Sequence, residues 1–178
     1  MIEPLAVVEQ SENGSGLAAE IRGERLAGVI YGTIVALSVV VAGAKAYPDG
    51  PGHVAALVAI TSGVFWLAHV YSFSLAESVA HEEHLSFEEV RKIARREASL
   101  VGAAVPLVAV LLLGELGVFD AATSFWIALA LGLIVLATQG LVFARIERLG
   151  PLATITVVTL NVGLGLLLVG LKILVSHH

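Results

Sequence analysis

Long apolar runs, each about the length of a bilayer crossing, govern what this chain can fold into. The first, residues 26–46, reads "LAGVIYGTIVALSVVVAGAKA" and carries a single charge, Lys45, at its end. Four more follow at 53–77, 98–117, 123–144 and 151–175. A helix crossing the hydrocarbon core needs about 20 predominantly apolar residues. Lipid offers the backbone no hydrogen-bond partners, so such runs close their bonds internally as helices. The sequence therefore predicts an all-α integral membrane bundle of five transmembrane helices. At 57% hydrophobic and 14% charged residues, the chain departs from a soluble domain, where charged residues make up about 25%. Short turn signals separate most of the runs: "YPDGPG" at 47–52, "GVFD" at 117–120 and "RIERLGP" at 145–151.

Lys and Arg set the expected direction of threading. Arg22 and Arg25 precede the first run, Arg91, Lys92, Arg95 and Arg96 lie between the second and third, and Arg145 and Arg148 lie between the fourth and fifth. With five crossings these eight fall on one side and only Lys45 and Lys172 on the other. The positive-inside tendency then puts the N-terminus and the 81–97 segment in the cytosol and the C-terminus outside. A multi-pass protein of a bacterial-type inner membrane is expected. The formal net charge of −5 comes from the N-terminal residues and the 81–97 segment and gives no sign of nucleic-acid binding.

Residues 1–25, with "SENGSG", read as a flexible acidic tail, and 26–178 as the membrane domain. No basic stretch precedes an apolar core at the N-terminus, so the first crossing is expected to act as its own insertion signal. The chain has no cysteine, which removes disulfides, thiolate metal sites and cysteine nucleophiles. Gly28, Gly32 and Ala36, spaced by four, share a helix face that allows close backbone approach. That face suits either packing inside one bundle or a homodimer seam along the first helix.

Ionisable groups inside lipid are costly and point to function. The second run carries two, His69 and Glu77, and continues without Pro or Gly into "HEEH" at 81–84. Eight residues separate His69 from Glu77, about 80° around a helix and roughly 12 Å along it. Glu77, His81 and His84, at i, i+4 and i+7, can share one face. A carboxylate with two imidazoles suits a first-row divalent ion such as Fe²⁺, Mn²⁺ or Zn²⁺. The candidate metal residues are Glu77, His81, Glu82 and His84, with His69 as an ion or proton relay, since imidazole titrates near neutrality. The competing reading is a solvated helix end with ordinary surface His and Glu. In "SFEEVRKIARREASL", Ser86 and Glu89 form a candidate capping box that starts a helix at Phe87. Phe87, Val90, Ile93 and Ala94 form its apolar stripe, and Glu88–Lys92 a supporting pair. A short cytoplasmic amphipathic helix between the second and third crossings is expected.

Three stretches resemble the vacuolar iron transporter family, plant and yeast members included. "VIYGTIVALSVVVAG" at 29–43 is similar to that family's first helix, "LAESVAHEEH" at 75–84 to the end of its second, and "GAAVPLVAVLL" at 102–112 to the start of its third. The order of the motifs and the expected topology agree over about 150 residues. The resemblance implies a dimer with an ion path near paired first helices, moving Fe²⁺ or Mn²⁺ out of the cytosol in exchange for protons. It also implies a metal role for Glu77, and more loosely for Glu82, Glu83, Glu88 and Glu89 of the insert. His69, His81 and His84 stand on the spacing argument alone. The sequence departs from the family in having no acidic residue between Leu26 and Ala46.

The expected function is therefore a proton-coupled divalent cation transporter with no resident cofactor, Fe²⁺ or Mn²⁺ being cargo. Its partners would be the bilayer, cations, protons and a second copy of the chain. Transport makes no bond, so no enzyme activity is expected. The alternative is a non-transporting membrane scaffold or assembly partner, and a third reading, a small metalloenzyme, lacks the usual three or four firm ligands.

Overall fold

A computed structural model describes the backbone of residues 4–81 and 86–176 and the side chains of 22–80, 86–168 and Gly170. Seven helices follow in order: α1 (Pro4–Ala46), α2 (Pro51–His81), α3 (Phe87–Arg96), α4 (Ala98–Gly102), α5 (Val105–Glu115), α6 (Ala121–Ile146) and α7 (Pro151–Ser176). No strand occurs among the described residues. Helix α1 begins at Pro4, so it takes in most of the segment assigned to a tail on sequence.

Four helical stretches are long and apolar enough to cross a membrane: Arg22–Ala46, Pro51–Ala80, Ala121–Ile146 and Pro151–Leu168. The expected third crossing is broken. Phe87–Gly102 and Val105–Glu115 meet at 49°, and only as a bent pair do they make a fifth crossing. Pro106 is the cause, sitting in the first turn of α5. It has no N–H to give to the carbonyl of Gly102, and its ring crowds that carbonyl, so an uninterrupted helix from 98 to 117 is excluded. At 11 residues, α5 alone is roughly 16 Å long, short of the ~30 Å hydrocarbon core.

The core forms where α1, α2, α5 and α6 meet, around Leu37, Val40, Val54, Val58, Leu107, Leu111, Phe125, Leu129 and Leu136. Outside it the usual polarity of a protein surface is inverted. Ile60, Val64, Leu67 and Tyr71 form a stripe at helical spacing on the outer face of α2, and all are exposed. On α7, Leu152, Ile155, Leu160, Leu164 and Leu167 are exposed as well. A contiguous apolar exterior on helices of this length is what a bilayer covers, and the protein is membrane-embedded.

Glycine lets the helices close in. A Cβ on Gly32 would overlap the carbonyl oxygen of Leu100, and one on Gly28 would overlap the Ser99 hydroxyl. The Gly28–Gly32 face is thus filled by α4 of the same chain, the packing within one bundle that was one of the two readings of that face. Gly132 receives Leu37, and Gly165 receives Leu133 and Leu136.

Two sets of contacts fix the ends. The backbone N–H of Gly52, at the start of α2, donates to Glu115 Oε2 at the end of α5 (2.8 Å), and Asp120 caps α6 nearby by accepting from the Thr123 N–H (2.9 Å). At the opposite end α3 folds back on the bundle: Trp66 Nε1 donates to the Ala94 carbonyl (3.0 Å), and Arg96 pairs with Glu24 of α1. That second end carries the basic residues of α1 and α3 and is called the charged end below.

Candidate functional site: a pocket at the charged end

Helix α3 exists where the sequence places it. The Ser86 side chain accepts from the Glu89 N–H while the Glu89 carboxylate accepts from the Ser86 N–H (2.7 Å), completing the capping box. Glu88 and Lys92 pair at 3.5 Å. Val90, Ile93 and Ala94 are half-buried, whereas Phe87 stands out at 84% exposed and does not join the stripe. The result brings the end of α3 over the gap between α1 and α2.

That gap is a cavity of about 230 Å³, bordered by Glu24, Tyr31, His69, Phe73, Arg96 and Glu97. His69 lies in its wall. Its Nδ1 is 3.0 Å from the Phe65 carbonyl one turn earlier. A carbonyl can only accept, so Nδ1 is the donor in this contact and Nε2 is the ring nitrogen it leaves unused. The imidazole sits among aromatic rings, 5.4 Å from the Tyr31 centroid and 6.3 Å from that of Phe73. Tyr31 also meets Phe65 edge-on at 6.1 Å. Glu24 and Glu97 add two carboxylates to the rim, and Arg96 lies between them. Its Nη2 donates to Glu24 Oε1, its Nε is 4.0 Å from Glu97 Oε1, and its guanidinium carbon lies 5.7 Å from the Phe73 ring centroid.

Of the residues singled out from sequence, His69 is on this cavity. Glu77 lies two turns further along α2 and is exposed. His81 closes α2, and its side chain lies outside the described residues, as do Glu82, Glu83 and His84. Glu88 and Glu89 are engaged within α3 and lie away from the cavity lining. Among the described residues no three His, Asp or Glu side chains are grouped closely enough to hold a metal ion.

Glu24, Arg96 and Glu97 are the members that sequence reasoning missed. Arg96 and Glu24 are 72 residues apart, so no local spacing links them. A signal did exist on α1, where Glu24, Gly28 and Tyr31 recur at i, i+4 and i+7 and all face the cavity. Compared with family models, characterised proteins and solved structures, the chain matches none.

Proposed function

We propose that the chain is a five-crossing inner-membrane protein, charged end in the cytosol, that moves divalent cations, Fe²⁺ or Mn²⁺, out of the cytosol in exchange for protons. The bent α3–α5 pair is the third crossing. The observation that carries this reading is that His69, Glu24 and Glu97 all lie in the lining of one cavity at the charged end, along which an ion would pass without being chelated by the three together. Groups that bind protons and cations are expensive near lipid and are placed where ions pass. In this scheme Glu77, His81, Glu82 and His84 gather cations at the membrane surface, and His69 exchanges protons through Nε2. The described lining of the cavity comes from one chain.

The test is flux into liposomes holding a metal-sensitive dye, under a pH gradient. Wild-type protein takes up Mn²⁺ or Fe²⁺, Glu77→Gln loses most of that uptake, and His69→Ala loses its dependence on the gradient. Absence of flux for both ions in folded protein overturns the reading. It would favour the alternative, a non-transporting scaffold, which one contact supports: Arg96 already neutralises Glu24, tying α3 to α1 as a structural latch would.

A further inference from the structure

The cavity at the charged end already has a cation in its wall, and that cation is organic. The Arg96 guanidinium has three neighbours of different kinds: the Glu24 carboxylate on Nη2, Glu97 at 4.0 Å from Nε, and the Phe73 ring, over which its carbon lies 5.7 Å from the centroid. A carboxylate and an aromatic ring are the two kinds of partner suited to a planar, delocalised, weakly hydrated cation. A divalent metal needs several oxygen or nitrogen donors converging at short range, and the described residues provide no such group.

The members of the site differ in how firmly they are fixed. The Glu97 side chain is 12% exposed and that of Glu24 28%, while Arg96 is 44% exposed at the end of a surface helix. The acceptors are thus held in the wall, and the resident cation is the part with a path to water. Removal of Arg96 would leave two carboxylates beside the rings of Tyr31 and Phe73 with no other Arg or Lys in the cavity lining. A space of about 230 Å³ lies below the usual size of drug-like pockets, about 300–1,000 Å³, and suits a head group of a few heavy atoms.

We propose that this cavity is a binding site for a small guanidinium-type organic cation, which enters by displacing the Arg96 side chain from Glu24, Glu97 and the face of Phe73. Arg96 is then a tethered competitor. A group on a short tether acts at an effective concentration of about millimolar, so free ligand binds weakly until the tether is removed. The inference does not rest on metal transport: a chain that moved no Mn²⁺ would still hold the ligand.

The experiment uses the full chain in nanodiscs, with methylguanidinium as probe, N-methylurea as its neutral isostere and Mn²⁺ as the metal control. Binding is read by calorimetric titration and by the rise in melting temperature that accompanies a ligand selective for the folded state. Arg96→Ala should bind methylguanidinium more tightly than wild type, by the ratio of the tether's effective concentration to the internal pair's own dissociation constant plus one. The gain should disappear when Glu97→Gln or Phe73→Leu is added, and N-methylurea should bind none of the variants. Arg96→Lys, which keeps the charge but not the flat fork, serves as a second host if the alanine variant does not fold, and it too should bind more tightly than wild type. Equal affinity for wild type and both Arg96 variants, binding of the urea, or stabilisation by Mn²⁺ alone overturns the proposal. Loss of metal flux with retained methylguanidinium binding would overturn the transport reading and leave this one standing.

Discussion

At Gly32 a single hydrogen atom sets how near two helices lie. The neighbour is backbone, the Leu100 carbonyl, which cannot swing aside as a side chain can. Gly32→Ala must therefore push α4 away from α1, and overpacking of this kind costs about 1–3 kcal/mol. Gly163 has nothing within 4 Å of the position its Cβ would take. Gly163→Ala should instead stabilise the protein by up to about 1 kcal/mol, because alanine is the better helix former. Unfolding of both variants in the same detergent checks the pair, and a neutral Gly32→Ala would contradict the close approach. Asp120 makes a second prediction. The Thr123 hydroxyl, with the Thr123 N–H next, hydrogen-bonds its carboxylate and lowers its pKa from the ordinary 3.8. A lowered carboxylate pKa stabilises the fold above the unfolded value, and that contribution is lost as pH falls through the folded one. Asp120→Asn should accordingly melt lower than wild type at neutral pH, and the gap should narrow as the pH is taken below about 4.

Among the elements, α3 is the one whose start is written most explicitly. Ser86→Ala removes one of the two capping-box bonds and should cost about 1 kcal/mol. The effect should be local, seen as faster hydrogen exchange at the Glu89 amide with the exchange of α6 unchanged. The capping box was legible because it is a contact between residues three apart, and the other long helices were legible because lipid demands uninterrupted apolar length. The break in the expected third crossing was not. Pro106 was visible, but hydropathy is blind to backbone direction, and the flanking "GAAV" and "LVAVLLL" are equally apolar on either side of the bend. The site divides in the same way. His69 announced itself as an ionisable group within a greasy run, whereas Glu24 and Arg96 become partners only when α3 folds back on α1. That return is fixed by Trp66 reaching the Ala94 carbonyl, a contact between distant residues that no periodicity encodes.

For the whole molecule the sharpest prediction concerns sidedness. The chain has no native cysteine, so single cysteines can be introduced without background. With α2 crossing once between them, Asp49→Cys and Lys92→Cys should react with a membrane-impermeant maleimide from opposite sides of the cell membrane, Asp49→Cys from outside. Ala122→Cys should behave like Asp49→Cys if the bent α3–α5 pair traverses the bilayer, as the bond between Glu115 and the start of α2 suggests. Labelling of Ala122→Cys together with Lys92→Cys would make that pair a re-entrant loop.

The shortness of α5 also bears on how the chain is made. During synthesis its 11 residues emerge ahead of α6, and a segment that length is too brief to be retained in hydrocarbon unaided. It has to remain in the insertion machinery until α6 follows, so the two are expected to partition sideways as a unit, joined by residues 116–120. A chain ending before Ala121 should leave a single cysteine placed in α5 open to a maleimide, and one continuing past Ile146 should protect it.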